Sequence, residues 1–306
     1  MLRRFLLYLS GAGWARGMVT HWGLARRIAR RFIAGETLDD ALKASRALNE
    51  QGLLVSLDCL GESVHSAEDA AEVVKAYRAL LEQIHHHGLQ ASISLKLTHL
   101  GLDISEDLGV TNLRHILTDA KAYGIPVTID MESSDYTERT LRIYRTMRDE
   151  YDFTNVGTVI QAYLYRTKDD MAALAREGAT IRLCKGAYLE PPEVAFPDKA
   201  DVDAQYIAVM RDFLNAPPPA VLQIATHDER IIQAAETTIR EKALPPARYE
   251  FQMLYGIRSN RQRELAAAGY PVRVYVPYGA AWYPYFMRRL AERPANLWFF
   301  ISNLFK

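Results

Sequence analysis

From residue 53 onward the chain alternates between short runs rich in β-branched and apolar residues and longer stretches whose apolar positions recur at helical spacing. That alternation predicts βα units laid into a parallel sheet. Eight strands are expected: Leu53 to Leu57, Ala91 to Leu95, Pro126 to Asp130, Val156 to Gln161, Thr180 to Cys184, Val221 to Ala225, Tyr249 to Met253 and Val272 to Val276. Amphipathic helices are expected over 66–87, 111–123, 135–150, 167–177, 201–215, 228–240, 258–269 and 280–292. Ser66 with Asp69 and Thr167 with Asp170 read as capped starts, and Gly88, Gly124, Gly178 and Gly269 as left-handed stops. Eight units close a (β/α)8 TIM-type barrel, an α/β fold, over residues 51–306. A doubly wound open sheet is the alternative, but Asp58-Cys59-Leu60-Gly61 is not the Gly-rich phosphate turn such a sheet carries after its first strand.

Residues 1–50 precede the barrel as a helical extension with no core of their own, the last helix starting within Glu36-Thr37-Leu38-Asp39-Asp40-Ala41-Leu42. The tail from Pro294 to Lys306 holds Trp298, Phe299, Phe300, Ile301 and Phe305, so it is expected to pack back on the body. Arg3, Arg4, Arg16, Arg26, Arg27, Arg30 and Arg31 all precede the first acidic residue, Glu36. Such a segment suits a membrane-surface helix or a transit peptide, and equally the solvated face of helices that cover the barrel or meet another copy.

Composition narrows the partner. Hydrophobic residues make up 49% and charged residues 24%, an ordinary globular balance, and the formal net charge of zero supplies no field for nucleic acid or an acidic polymer. A small molecule is the expected ligand. Cys59 and Cys184 lack metal-ligand spacing and read as buried packing residues in a reducing, cytoplasmic compartment. No run approaches the roughly 18–20 apolar residues of a membrane span, which leaves a soluble chain or one peripheral on the inner face of the membrane.

Barrel enzymes build their sites where the strands end, and here those positions are polar. In order they are Asp58 with Glu62, Lys96, Asp130 with Glu132, Gln161, Arg182 with Lys185, Thr226-His227, Gln252, and Tyr275 with Tyr278. Singly, each has a plain reading: strand-end lysines and aspartates pair with one another, and His227 suits the start of a helix. The helix after the eighth strand adds Arg288, Arg289 and Glu292. Two guanidinium forks suit a carboxylate or phosphate, although Glu292 is placed to pair with Arg288 one turn away. Gly11-Ala12-Gly13 with Gly17 misses dinucleotide spacing, His85-His86-His87 cannot share one metal, and no Ser/His/Asp arrangement emerges.

Taken together the strand-end motifs resemble those of the proline dehydrogenases. The resemblance lies in Ser94-Leu95-Lys96-Leu97-Thr98, Val127-Thr128-Ile129-Asp130-Met131-Glu132 and Arg182-Leu183-Cys184-Lys185-Gly186-Ala187-Tyr188. It continues in Ala225-Thr226-His227, in Tyr249-Glu250-Phe251-Gln252-Met253-Leu254-Tyr255-Gly256, and from Tyr275-Val276-Pro277-Tyr278-Gly279 to Arg288-Arg289-Leu290-Ala291-Glu292. It spans about residues 50–292 and only loosely covers those before.

What the resemblance implies is a monofunctional flavoenzyme of bacterial type. It would lack the aldehyde dehydrogenase module fused in some relatives, and a DNA-binding domain. It would oxidise L-proline to 1-pyrroline-5-carboxylate, the first step of proline catabolism, by hydride transfer to non-covalent FAD, and pass electrons to a membrane quinone. Cofactor contacts would fall to Gln161, Arg182, Lys185, Gly186, Ala187, Tyr188, Thr226, His227, Gln252 and Glu292. Substrate contacts would fall to Lys96, Tyr188, Leu254, Tyr275, Arg288 and Arg289, with Lys96, Asp130, Arg182 and Tyr275 as the catalytic set. Glu62 would close as a gate by pairing with Arg288. Residues 1–35 would touch the membrane, and homo-oligomer contacts stay open. Against this stand an aldolase-like barrel with a Schiff base on Lys96 or Lys185, and a non-catalytic scaffold that the polar ring disfavours.

Overall fold

The computed structural model describes residues 29–61 and 63–292, the side chains of 288 and 290–292 excepted. The expectations for the segment before residue 29, for Glu62, for the side chains of Arg288 and Glu292, and for the tail after residue 292 lie outside the described residues.

Eight strands form one closed parallel barrel: β1 (Leu54–Cys59), β2 (Ala91–Leu95), β3 (Val127–Ile129), β4 (Val156–Gln161), β5 (Thr180–Cys184), β6 (Val221–Ala225), β7 (Tyr249–Leu254) and β8 (Val272–Tyr278). Each pairs with the next, and β8 returns to β1 with Ser56 opposite Tyr275. Strands covered outside by helices and filled inside by side chains must be buried on both faces, and β2 and β4 are buried at every position. The helices are α1 (Leu38–Asn49), α2 (Ala67–His86), α3 (Glu106–Tyr123), α4 (Ser134–Arg145), α5 (Thr167–Arg176), α6 (Lys199–Leu214), α7 (Glu229–Glu241), α8 (Ser259–Ala267) and α9 (Trp282–Glu292).

Boundary chemistry follows the sequence with one exception. Ser66 accepts from the Asp69 backbone at 3.1 Å to start α2, and Gly124 ends α3 in the left-handed region at φ 68°. Thr167, in contrast, is not a cap: α5 is capped at Arg166 without a side-chain bond. The Thr167 hydroxyl instead donates to the Gln161 carbonyl at 2.6 Å, tying the helix to the end of β4. Cys59 and Cys184 are half-buried rather than fully enclosed, packed against the core and not joined in a disulfide.

The helices on either side of the β8–β1 seam are arranged unusually. Helix α1 starts with a reciprocal Thr37–Asp40 capping box, buries Ala41 and Leu48 in the barrel's own core, and packs on β8 and β1. At its far end Asn49 donates to the Leu53 carbonyl at 2.8 Å and accepts from the Gln90 backbone at 2.8 Å. The residues before α1 run along the opposite end of β8, where the Ala34 amide meets Pro277 at 2.9 Å and the Gly279 amide meets Gly35 at 3.0 Å. Helix α1 thus occupies the flank that the eighth helix of a regular barrel would take.

Helix α9 lies over the mouth instead. Its Trp282, Tyr283 and Phe286 form a separate apolar cluster with Phe32, Ile33, Leu60 and Ile257, and Leu60 and Ile257 follow the mouth ends of β1 and β7. Burial of a side chain such as Phe286 stabilises by about 1.5–3 kcal/mol, so this cluster suffices to hold a helix above a polar opening. Gly256, at φ 70°, permits the close approach of residues 29–33, because a Cβ there would stand 1.7 Å from the Arg31 carbonyl. Residues 29–35 thus pack on the barrel.

A polar barrel mouth as the candidate active site

Strand periodicity sends Ser56 and Asp58 of β1, Ser94 of β2 and the following Lys96, and Arg182, Gln252 and Tyr275 of β5, β7 and β8 into the barrel. Arg182 is the hub and is only 5% exposed. Its Nε donates to Gln252 Oε1 at 2.6 Å, one terminal nitrogen donates to Asp130 Oδ1 at 2.7 Å, and the other donates to Ser94 Oγ at 2.9 Å and Ser56 Oγ at 3.4 Å. The guanidinium also lies 5.3 Å from the centre of the Tyr275 ring.

Asp130 joins this hub to the rest of the mouth. Its second oxygen accepts from the Tyr275 hydroxyl at 2.8 Å and lies 3.8 Å from Lys96 Nζ, which is 3.4 Å from Asp58 Oδ2. Burial pushes the Asp130 carboxyl above its ordinary value, while Arg182 and Lys96 pull against it. Because both oxygens accept from donors, the ionised form is the one this geometry holds. Burial and the adjacent Asp130 charge hold the Tyr275 phenol well above its ordinary value, so it remains protonated at neutral pH. Two cations and two carboxylates therefore balance inside the mouth. The other oxygen of Asp58 and the side-chain oxygen of Gln161 are buried there without a hydrogen-bond partner among the described residues.

A second polar group rims the opening after β5, β6 and β7. Lys185 Nζ donates to Asp203, and to Asp228 at 2.8 Å; Lys199 and Arg230 close the same cluster on Asp203. Asp203 and Asp228 sit below the ordinary carboxylate range; burial raises them, but Lys185 and Lys199 outweigh it. Gly186, at φ 110°, lies against the Tyr163 ring, where a Cβ would stand 2.4 Å from ring carbons. Ala187 and Tyr188 continue that loop half-buried, and Glu190 anchors it by accepting from the Ser134 amide at 2.8 Å. Thr226 Oγ1 accepts from the Asp228 amide at 3.1 Å. The Leu254 amide donates to His227 Nε2 at 2.9 Å, which places the ring proton of a neutral His227 on Nδ1.

Not every expected member of the ring faces the opening. Tyr278 is 5% exposed and packed in the main core, its hydroxyl paired with Cys59; the strand runs on to residue 278, so alternation turns that side chain outward. Glu132 is held by Thr98, whose hydroxyl donates to it at 2.8 Å. Arg289 is half-buried on α9, with its guanidinium 5.0 Å from the Tyr285 ring centre. Sequence reasoning does not single out Ser56, Ser94, Asp203, Asp228 or Glu190 as site residues; the alternation Ser92, Ser94, Lys96 within an otherwise apolar strand is a signal that could have found Ser94, as the alternation Ser56, Asp58 could have found Ser56. Among the described residues no cluster of His, Cys, Asp or Glu is suited to a metal ion. Nor, among the described residues, is any helix long and apolar enough to cross a membrane.

With this geometry in place, relatives can be compared. The sequence profile of the family described as proline dehydrogenase matches residues 41–301. A protein named proline dehydrogenase 1 from Bacillus subtilis subsp. natto is 44% identical over 306 residues, 100% of both chains. The proline dehydrogenase of Deinococcus radiodurans is 43% identical over 282 residues, 91% of this chain and 90% of that one. Among solved structures, proline utilization A from Bdellovibrio bacteriovorus, inactivated by N-propargylglycine, superposes with a TM-score of 0.81 at 25% identity. That match covers 90% of this chain and 33% of the larger one.

Proposed function

The chain belongs to the proline dehydrogenase family, and from that premise we propose how its barrel mouth carries out the reaction. The activity is oxidation of proline, the first step of proline catabolism, in a flavin-dependent enzyme whose electrons go to a quinone-type acceptor. The aldolase alternative falls away. It also conflicts with the lysines: Lys96 stands between Asp58 and Asp130, and Lys185 is held by Asp203 and Asp228. Each amine is thus engaged by two carboxylates rather than presented to a carbonyl.

The flavin in this reading is FAD, bound without a covalent link. Supporting this is the donor set of Arg182, Lys185 and His227 around the mouth, beside a buried Gln161 oxygen that has no donor among the described residues. The loop at Gly186 offers backbone where a side chain would collide. Gln161, Arg182, Lys185, Gly186, Ala187, Tyr188, Thr226, His227 and Gln252 would hold the group, which supplies the hydride acceptor. Glu292 joins them on the strength of family resemblance, its side chain being outside the described residues.

The substrate carboxylate meets Lys96 and Arg289, with Arg288 added by resemblance, because charge-assisted pairs suit a small anion. Tyr275, Tyr188 and Leu254 enclose the apolar ring. Bound proline, having shed one ammonium proton to water, gives up a hydride from the ring carbon beside the nitrogen, which leaves the protonated imine of 1-pyrroline-5-carboxylate; loss of the second nitrogen proton to water gives the neutral imine. Tyr275 stays protonated and Asp130 has both oxygens engaged, so neither serves as the base; proline is deprotonated as it binds. Asp130 instead orients Arg182, Tyr275 and Lys96, and catalysis rests on positioning and electrostatics. By resemblance, Glu62 would gate the substrate by pairing with Arg288, and the basic residues within 1–35 would make peripheral contact with the inner face of the membrane.

The observation that carries this reading is the balanced Arg182–Asp130–Lys96–Asp58 group at the strand ends. Anaerobic titration of the purified protein with L-proline tests it. The flavin absorption band should bleach in proportion to proline added, and a band unmoved by proline would refute it.

A further inference from the structure

Beneath the mouth the barrel encloses a second ion pair that the reaction does not call on. Barrels of this kind are filled mainly by branched apolar side chains, and a buried ion pair adds little over apolar residues of the same volume. Arg273 nonetheless donates from Nε to Glu250 Oε1 at 2.7 Å and from a terminal nitrogen to Oε2 at 2.9 Å. Its other terminal nitrogen donates to the Val55 carbonyl at 2.8 Å and to Ser92 Oγ at 3.2 Å. The pair is thereby fixed to the floor of the barrel.

The connection upward runs through one amide. Gln252 Nε2 donates to Glu250 Oε1 at 2.8 Å, and Gln252 Oε1 accepts from Arg182 Nε at 2.6 Å. The two ends of an amide have nearly the same shape, so packing does not decide which of them faces Arg182. The carboxylate does. Reversing the amide would set its NH2 against the guanidinium N–H and its oxygen against Glu250, losing two charge-assisted bonds and creating two repulsive contacts.

We propose that Glu250 and Arg273 are positioning residues for Arg182, locking the Gln252 amide with its oxygen toward the guanidinium and so fixing that cation for proline oxidation. The proposal rests on the assignment of Arg182 to the reaction given above. Serine and Asp130 bonds hold the terminal nitrogens of Arg182, whereas its Nε is held by Gln252. Without the lock the fork can tilt about its remaining contacts.

The test is the double variant Glu250→Met/Arg273→Met, which leaves no unpaired charge in the barrel. It is studied as the flavin-loaded full chain by thermal melting, by exchange of the Arg182 Nε–H in 1H–15N spectra, and by turnover per bound flavin. The expected result is a melting point near wild type, roughly tenfold or greater loss of Nε–H protection, and a kcat lowered about tenfold with the proline KM within about threefold. Gln252→Met, which keeps the ion pair and removes the link together with a proposed cofactor contact, gives the same loss of protection should the double variant fold poorly. Retained protection, or lost protection with unchanged kcat, overturns the proposal. Arg182→Lys separates the two ideas: wild-type turnover there overturns the assignment of Arg182. A defect there with wild-type turnover in the double variant overturns the relay alone.

Discussion

Removing the Asp130 carboxylate takes the one acceptor shared by Arg182, Tyr275 and Lys96 out of the mouth. In Asp130→Ala the two cations face Asp58 alone, so the mouth changes from neutral to one net positive charge. Breaking a buried pair costs about 3–5 kcal/mol because a charge is left uncompensated. The side chains are 12% exposed at Asp130 and 6% at Arg182, and water entering from the opening relieves part of this, which favours about 3 kcal/mol. With roughly 2.1 cal/mol/K of unfolding entropy per residue over 306 residues, 1 kcal/mol moves the midpoint by about 1.6 °C. The variant should therefore melt about 5 °C below wild type by calorimetry, and Asp130→Asn, which keeps one acceptor, should fall in between. Turnover should drop at least about tenfold through misplacement of Arg182 and Tyr275. A melting point within about 2 °C of wild type would refute the view that this carboxylate is the keystone of the mouth.

Other outcomes follow from the same geometry. Arg289→Met should raise the proline KM strongly while flavin content stays at wild-type level; steady-state kinetics with an unchanged KM would remove Arg289 from the carboxylate site. Gly186→Ala forces a Cβ onto the Tyr163 ring from a left-handed backbone, so flavin affinity measured by fluorescence should fall about tenfold, and equal affinity would show that the loop is not a cradle. Asp203 and Asp228 have folded-state pKa values below their unfolded ones. Their contribution to stability is therefore complete above roughly pH 4 and is lost as the pH falls through the folded values. Urea midpoints of Asp228→Asn should be lower at neutral pH and depend less on pH below about 5; a variant as acid-sensitive as wild type would contradict this.

Periodicity made the barrel legible, since each strand and helix alternates in a way that few other folds require. The mouth was legible too, because polar residues at the ends of buried strands have no packing reason to be there. What escaped was whatever depended on a neighbour. Ending the eighth strand at Val276 put Tyr278 beside Tyr275 in the mouth, whereas two more residues of strand turn it into the core. Thr167 carries the spacing of a cap, but Gln161 offers its hydroxyl a better acceptor. The last helix has the same spacing in sequence whether it lies beside the barrel or across its opening. That choice was settled by Phe32, Ile33, Leu60 and Ile257, which come from three separate parts of the chain.

Closure of β8 on β1 also sets an order of events during synthesis. Val55 and Arg273, bonded across that seam, are 218 residues apart, so a nascent chain exposes the edge of β1 until β8 has left the ribosome. Tyr275 emerges with that strand and Arg289 later still. The proposed flavin and proline sites are therefore assembled only after β8 and α9 have been made, and the half-made barrel is the stage at which a chaperone that shields open strand edges has most to offer.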